Sequence, residues 1–148
     1  MVKDPPAISD KHLDSPGIAI ISASAQLSFR NNFNLEASNG IYRDGGVLEV
    51  SAPNINGGSF TDITDSAVGG IFVSGEYTGT ISTAFASPIA GRMAWSGNSG
   101  GYIDTVVNLG PNVVGQTIKL RFRLGTDQAG AGGGWRVDTI SITGGSCP

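Results

Sequence analysis

Cysteine occurs once in this chain, as Cys147, the penultimate residue. No intrachain disulfide can form, and metal sites built on several cysteines are excluded. Histidine also occurs once, as His12. A catalytic zinc cluster lacks its ligands, and a Ser-His-Asp triad would depend on one residue in an irregular segment. Charged residues make up only 14% of the chain, with lysine at positions 3, 11 and 119 alone. The net charge is −3, so the basic footprint that nucleic acid requires is missing. That balance suits a neutral or cationic partner, or a bound metal ion. No apolar run is long enough to span a bilayer. The opening Met1-Val2-Lys3-Asp4-Pro5-Pro6 lacks the apolar segment of a signal peptide. Long stretches rich in Ala, Leu, Glu and Lys are also absent, so helices are expected to be few.

What the chain has in quantity is glycine, 23 residues of 148, among Ser, Thr, Asn, Val and Ile. The length fits one domain with a real core. Short apolar runs follow one another between turn residues. Gln26 to Glu36 alternates, with Leu27, Phe29, Phe33 and Leu35 on one parity. Gln116 to Gly125 alternates as well, Ile118, Leu120, Phe122 and Leu124 against Lys119, Arg121 and Arg123. Further strands are expected at 18–22, 47–51, 60–63, 66–77, 92–96, 102–109 and 135–142, with a surface loop over 82–92. Nine or ten strands without a helical pattern predict an all-β fold, an antiparallel two-sheet jelly-roll β-sandwich. Residues 1–17 read as an irregular lead-in, 18–143 as the sandwich and 144–148 as the start of a linker. The abrupt ends predict a domain cut from a longer parent chain.

The run Gly132-Gly133-Gly134-Trp135-Arg136-Val137-Asp138-Thr139-Ile140-Ser141-Ile142 takes a glycine loop into a strand. Asp138 shares parity with Ile140 and Ile142 and is predicted to point inward. A carboxylate there needs a partner. Calcium, which takes six to eight oxygens, is one candidate. Glu36, ending a long strand, and Asp44, in the Tyr42-Arg43-Asp44-Gly45-Gly46 turn, are further candidate ligands. The alternative is a metal-free network, with Asp138 paired to Arg30 or Arg43 or accepting backbone N–H bonds. Asp127 opens the Gly-rich loop 127–134, which reads as a hairpin connection. A nucleotide cradle is rejected, because no Lys-Ser/Thr follows and no helix begins there.

Several segments taken together carry a resemblance. They are Leu27-Ser28-Phe29-Arg30, Asn34-Leu35-Glu36, Tyr42 to Ser51, Ala94-Trp95-Ser96-Gly97, Leu120-Arg121-Phe122-Arg123 and Gly134 to Ile140. In that order and spacing they resemble the jelly-roll accessory domains of bacterial secreted proteins, such as those beside immune inhibitor A-type metalloproteases. These are in turn similar to MAM domains. The chain departs from the MAM pattern at Thr139, where a second acidic residue is usual. The resemblance covers roughly residues 10–143. It implies a two-sheet jelly roll, a secreted or cell-surface setting, and a binding or structural role. It also implies calcium tying the first and last strands, with Asp10 and Asp14 adding ligands, and a parent chain that continues past Cys147-Pro148.

Glycan binding would use exposed aromatic rings. Trp95, Tyr77 and Tyr102 are the candidates, Trp95 with the polar rim Ser96-Gly97-Asn98-Ser99. Burial of Trp95 would instead favour a spacer. The sequence thus points to a non-catalytic binding or adhesion module with an extracellular protein or glycan partner. A carbohydrate-binding module and a structural spacer are the alternatives.

Overall fold

A computed structural model describes residues 2–3, 7–127 and 132–146. The Gly-rich positions 128–131 and Cys147 lie outside the described residues. The strands are β1 (Ser9–Asp14), β2 (Ile18–Ile20), β3 (Gln26–Asn34), β4 (Ala37–Ser38), β5 (Ile41–Tyr42), β6 (Gly45–Ser51) and β7 (Thr61–Asp62). After them come β8 (Ile71–Ser74), β9 (Gly79–Thr80), β10 (Met93–Ala94), β11 (Ile103–Asn108), β12 (Thr117–Thr126), β13 (Gly134–Thr143) and β14 (Gly145–Ser146). Two single turns of 3₁₀ helix, at Asn56–Gly58 and Pro111–Val113, are the helical elements among the described residues.

The strands form an antiparallel β-sandwich, as the alternation predicts. One main sheet runs β14-β2-β12-β6-β7, with β1 also pairing β12. The other runs β13-β3-β11-β8. Leu27, Phe29 and Phe33 of β3 face Ile118, Leu120, Phe122 and Leu124 of β12 across a core of buried residues. At its centre Trp95 meets Phe29, Phe72 and Tyr77 edge-on, with ring centroids 4.7 to 5.8 Å apart. Edge-on contact sets the positive rim of one ring on the negative face of another, which adds to the gain from burial. Asn31 sits on the inward parity of β3 and is fully buried. It bonds Thr105 through Nδ2 at 3.2 Å and accepts the Trp135 indole N–H at 2.8 Å. Gly46 allows this packing, because a Cβ there would stand 2.9 Å from the Trp135 ring.

Two segments depart from the sequence expectation. Residues 9–14, expected in an irregular lead-in, form β1, with Asp10, His12 and Asp14 opposite Gly125, Arg123 and Arg121. Gly145 and Ser146, expected to begin a linker, pair with Ile20 and Ala19 of β2. Neither the charged β1 nor the two-residue β14 carries an apolar alternation, so propensity alone does not reveal them.

Candidate metal centre

Three carboxylates converge at one end of the sandwich. Glu36 follows β3, Asp44 immediately precedes β6, and Asp127 immediately follows β12. One oxygen from each lies within 4.8 Å of the others. Asp44 is 0% exposed and Asp127 1%. Oε2 of Glu36 and Oδ2 of both aspartates are shut off from solvent. Because β3 belongs to one sheet and β6 and β12 to the other, the cluster joins the two layers.

Backbone bonds place these groups. The Asp127 N–H donates to Asp44 Oδ1 at 2.7 Å. The N–H groups of Arg43 and Asp44 both donate to the Glu36 carbonyl, at 3.1 and 3.3 Å, which folds the β3 exit onto the β6 entry. The Ser96 hydroxyl donates to the Asp44 carbonyl at 2.5 Å. The nearby cation is Arg43, whose Nη1 lies 3.6 Å from Glu36 Oε1 and whose guanidinium stacks on Phe85 at 4.0 Å. Among the described residues the cluster gathers three acidic groups, with the Arg43 guanidinium beside Glu36.

The three carboxylates offer oxygens of the kind that a hard divalent cation takes as ligands. Calcium holds oxygens at about 2.3–2.6 Å, so two ligands on one ion stand no more than about 5 Å apart. The observed spread lies inside that limit. Of the residues proposed from sequence, Glu36 and Asp44 are brought together here. Asp127, read as the start of a hairpin loop, is the third member. Its signal was available, as an acidic residue at the end of a strongly alternating strand, but only the pairing of β12 with β6 sets it beside Asp44.

The other proposed ligands lie elsewhere. Asp138 is exposed, and its Oδ1 accepts the Thr139 N–H at 2.7 Å. The expected inward orientation fails because the β13–β3 register shifts between Asp138 and Ser141. Thr139, at φ 53°, makes the bulge. A bulge inserts a residue and exchanges the faces of the strand. Val137 and Ile142 consequently pack on the core, whereas Ile140 is 50% exposed. Asp10 and Asp14 project from the outer face of β1. Arg123 clasps Asp10 through two bonds of 2.8 Å, and Arg121 clasps Asp14 at 2.7 and 2.9 Å. Each pair holds its carboxyl below the ordinary range, chiefly through the hydrogen bonds from arginine.

Two of the three aromatic candidates are corrected as well. Trp95 is 0% exposed and its indole N–H donates to the Gly75 carbonyl at 2.8 Å. Tyr77 is buried, with its hydroxyl bonded to Leu48 and Asp62. Burial, and then the Asp62 charge, push its phenol well above the usual tyrosine range. Neither ring can offer a face to a ligand. Tyr102 is 40% exposed, with the Arg30 guanidinium 5.1 Å from its ring centre.

No family model matches this chain, and no curated protein matches it. The functional reading therefore rests on residues and geometry.

Proposed function

We propose that the chain is a non-catalytic binding or adhesion module of a larger secreted or cell-surface protein, stabilised by calcium held at Glu36, Asp44 and Asp127. The supporting observation is the convergence of these three carboxylates, from three segments and both sheets, into a site where two are essentially buried. Ion binding there supplies positive charge to an acidic centre and ties the exits of β3 and β12 to the entry of β6. A rigid sandwich then presents its outer faces and loops to a partner. The MAM-like resemblance agrees with this reading and supplies the extracellular setting. Burial of Trp95 and Tyr77 turns the glycan alternative away from those rings, and on that criterion it favours the structural-spacer alternative. No helix among the described residues is long and apolar enough to cross a membrane.

The test is thermal unfolding in excess calcium against excess EDTA. An ion bound only by the folded chain stabilises it by about 2.7 kcal/mol when free calcium is about 100 times Kd. For a chain of this size that raises the midpoint by about 5 to 10 °C. An unchanged midpoint at millimolar calcium would rule out the calcium-stabilised reading.

A further inference from the structure

The outer face of the β1-β12-β6-β7 sheet carries a polar groove that shares no residue with the carboxylate cluster. Asp10, His12, Glu49, Phe60, Arg121 and Arg123 line it, around a space of about 520 Å³. Its planar groups are held in place. Besides the two forks to Asp10 and Asp14, Arg123 Nη1 reaches Glu49 at 3.4 Å. Glu49 also accepts from Arg92 at 2.7 Å, and Arg92 reaches Asp62 at 2.9 Å. The Arg121 guanidinium lies 3.7 Å from the Phe60 ring centre, so both planes are fixed in one stack. Glu49 is nearly buried, whereas about half of the His12 side chain is open.

The charges decide the class of ligand. Four carboxylates, Asp10, Asp14, Glu49 and Asp62, interleave with three guanidinium groups, Arg92, Arg121 and Arg123. A polyanion meets the carboxylates and a polycation meets the arginines, so neither finds a field of one sign. A neutral ligand with many hydroxyls can both donate to the carboxylates and accept from the guanidinium N–H groups and the His12 ring. It also leaves the existing ion pairs intact. Ordered side chains lose little further freedom on binding, which favours affinity for such a ligand. The Phe60–Arg121 stack adds an apolar edge against which sugar C–H groups can pack.

We propose that this groove is a binding site for a neutral oligosaccharide. The inference stands apart from the calcium reading. The test is an NMR titration of the chain with neutral gluco-, galacto- and manno-configured hexasaccharides, following the His12 ring and the Nε–H signals of Arg121 and Arg123. A sulfated oligosaccharide serves as the anionic comparison. Probes reach about 10 mM, above the millimolar Kd of weak specific binding. The expected result is saturable movement of these signals with at least one neutral series. His12→Ala and Phe60→Ala should still unfold cooperatively, with the midpoint lowered at most modestly by loss of the Asp14 and Arg121 contacts, and raise Kd by about tenfold or more, as loss of an anchoring contact does. The proposal is overturned if no neutral probe moves the signals, if only the sulfated probe does, or if both variants bind like the native chain.

Discussion

Replacing Asp44 by Asn separates a metal ligand from a plain structural acceptor, because only the first role makes the effect of the substitution depend on calcium. Asn keeps the Oδ1 carbonyl that accepts the Asp127 N–H at 2.7 Å. It replaces the buried Oδ2 by an amide that donates towards its acidic neighbours. Two unit charges at 4.8 Å, the outer limit of the cluster, repel by about 3.5 kcal/mol at an effective dielectric of about 20. The Arg43 guanidinium, 3.6 Å from Glu36, offsets part of the total. In EDTA, Asp44→Asn should therefore unfold no lower than the native chain, and up to about 10 °C higher if one full repulsion is relieved. In saturating calcium the order should reverse, since the native chain gains the binding energy and the variant loses a charged ligand. The assay is a calorimetric scan of both chains in both buffers. A variant destabilised by the same amount with and without calcium would refute the reasoning. Asp44 would then serve only to fix the turn between β5 and β6.

Two further outcomes follow from the same structure. Thr139 is a β-branched residue at φ 53°, a region that costs non-glycine residues about 1–2 kcal/mol. Thr139→Gly should raise the midpoint by about 2 °C once the extra freedom of glycine in the unfolded chain is deducted. A fall in the midpoint would show that the threonine side chain, not the bulge, holds this segment. Acid should loosen β1 first. Asp10 and Asp14 have folded values below the ordinary 3.8, owing to hydrogen bonds from Arg123 and Arg121. Their stabilisation is thus complete above that ordinary value and is lost as pH falls through the lowered folded values. Both pairs are partly exposed, so the effect is modest and weakens with salt. Midpoints measured from about pH 6 down to pH 2 should fall less steeply in Asp10→Asn and Asp14→Asn than in the native chain. Equal slopes would disprove the linkage.

The extent to which the sequence was legible follows from period and partner. In β3 the two-residue alternation is interrupted at Asn31 alone and in β12 it runs from Thr117 to Leu124, and it is enough to choose the buried face of each strand and the sandwich class, because burial of apolar side chains dominates there. In β13 the same alternation misplaces Asp138. One residue in the left-handed region inserts a bulge, and nothing in the composition of Val137 to Ile142 marks where the strand changes face. Trp95 shows a different limit, since a tryptophan before a polar loop favours core but leaves a ligand platform open until its neighbours are known.

The site divides in the same way. Glu36 and Asp44 stand out in the sequence as acidic residues at a strand end and a glycine turn. Asp127 joins them only through the antiparallel register that sets Gly125 beside Gly45. Likewise the groove at His12 and Phe60 exists because β1, seemingly irregular, pairs with β12 and brings Asp10 and Asp14 within bonding reach of arginines more than 100 residues away in the chain. Local periodicity therefore determined the class of fold. Tertiary pairing alone decided which distant charges meet, because those contacts depend on strand register, to which residues nearby in sequence carry no information.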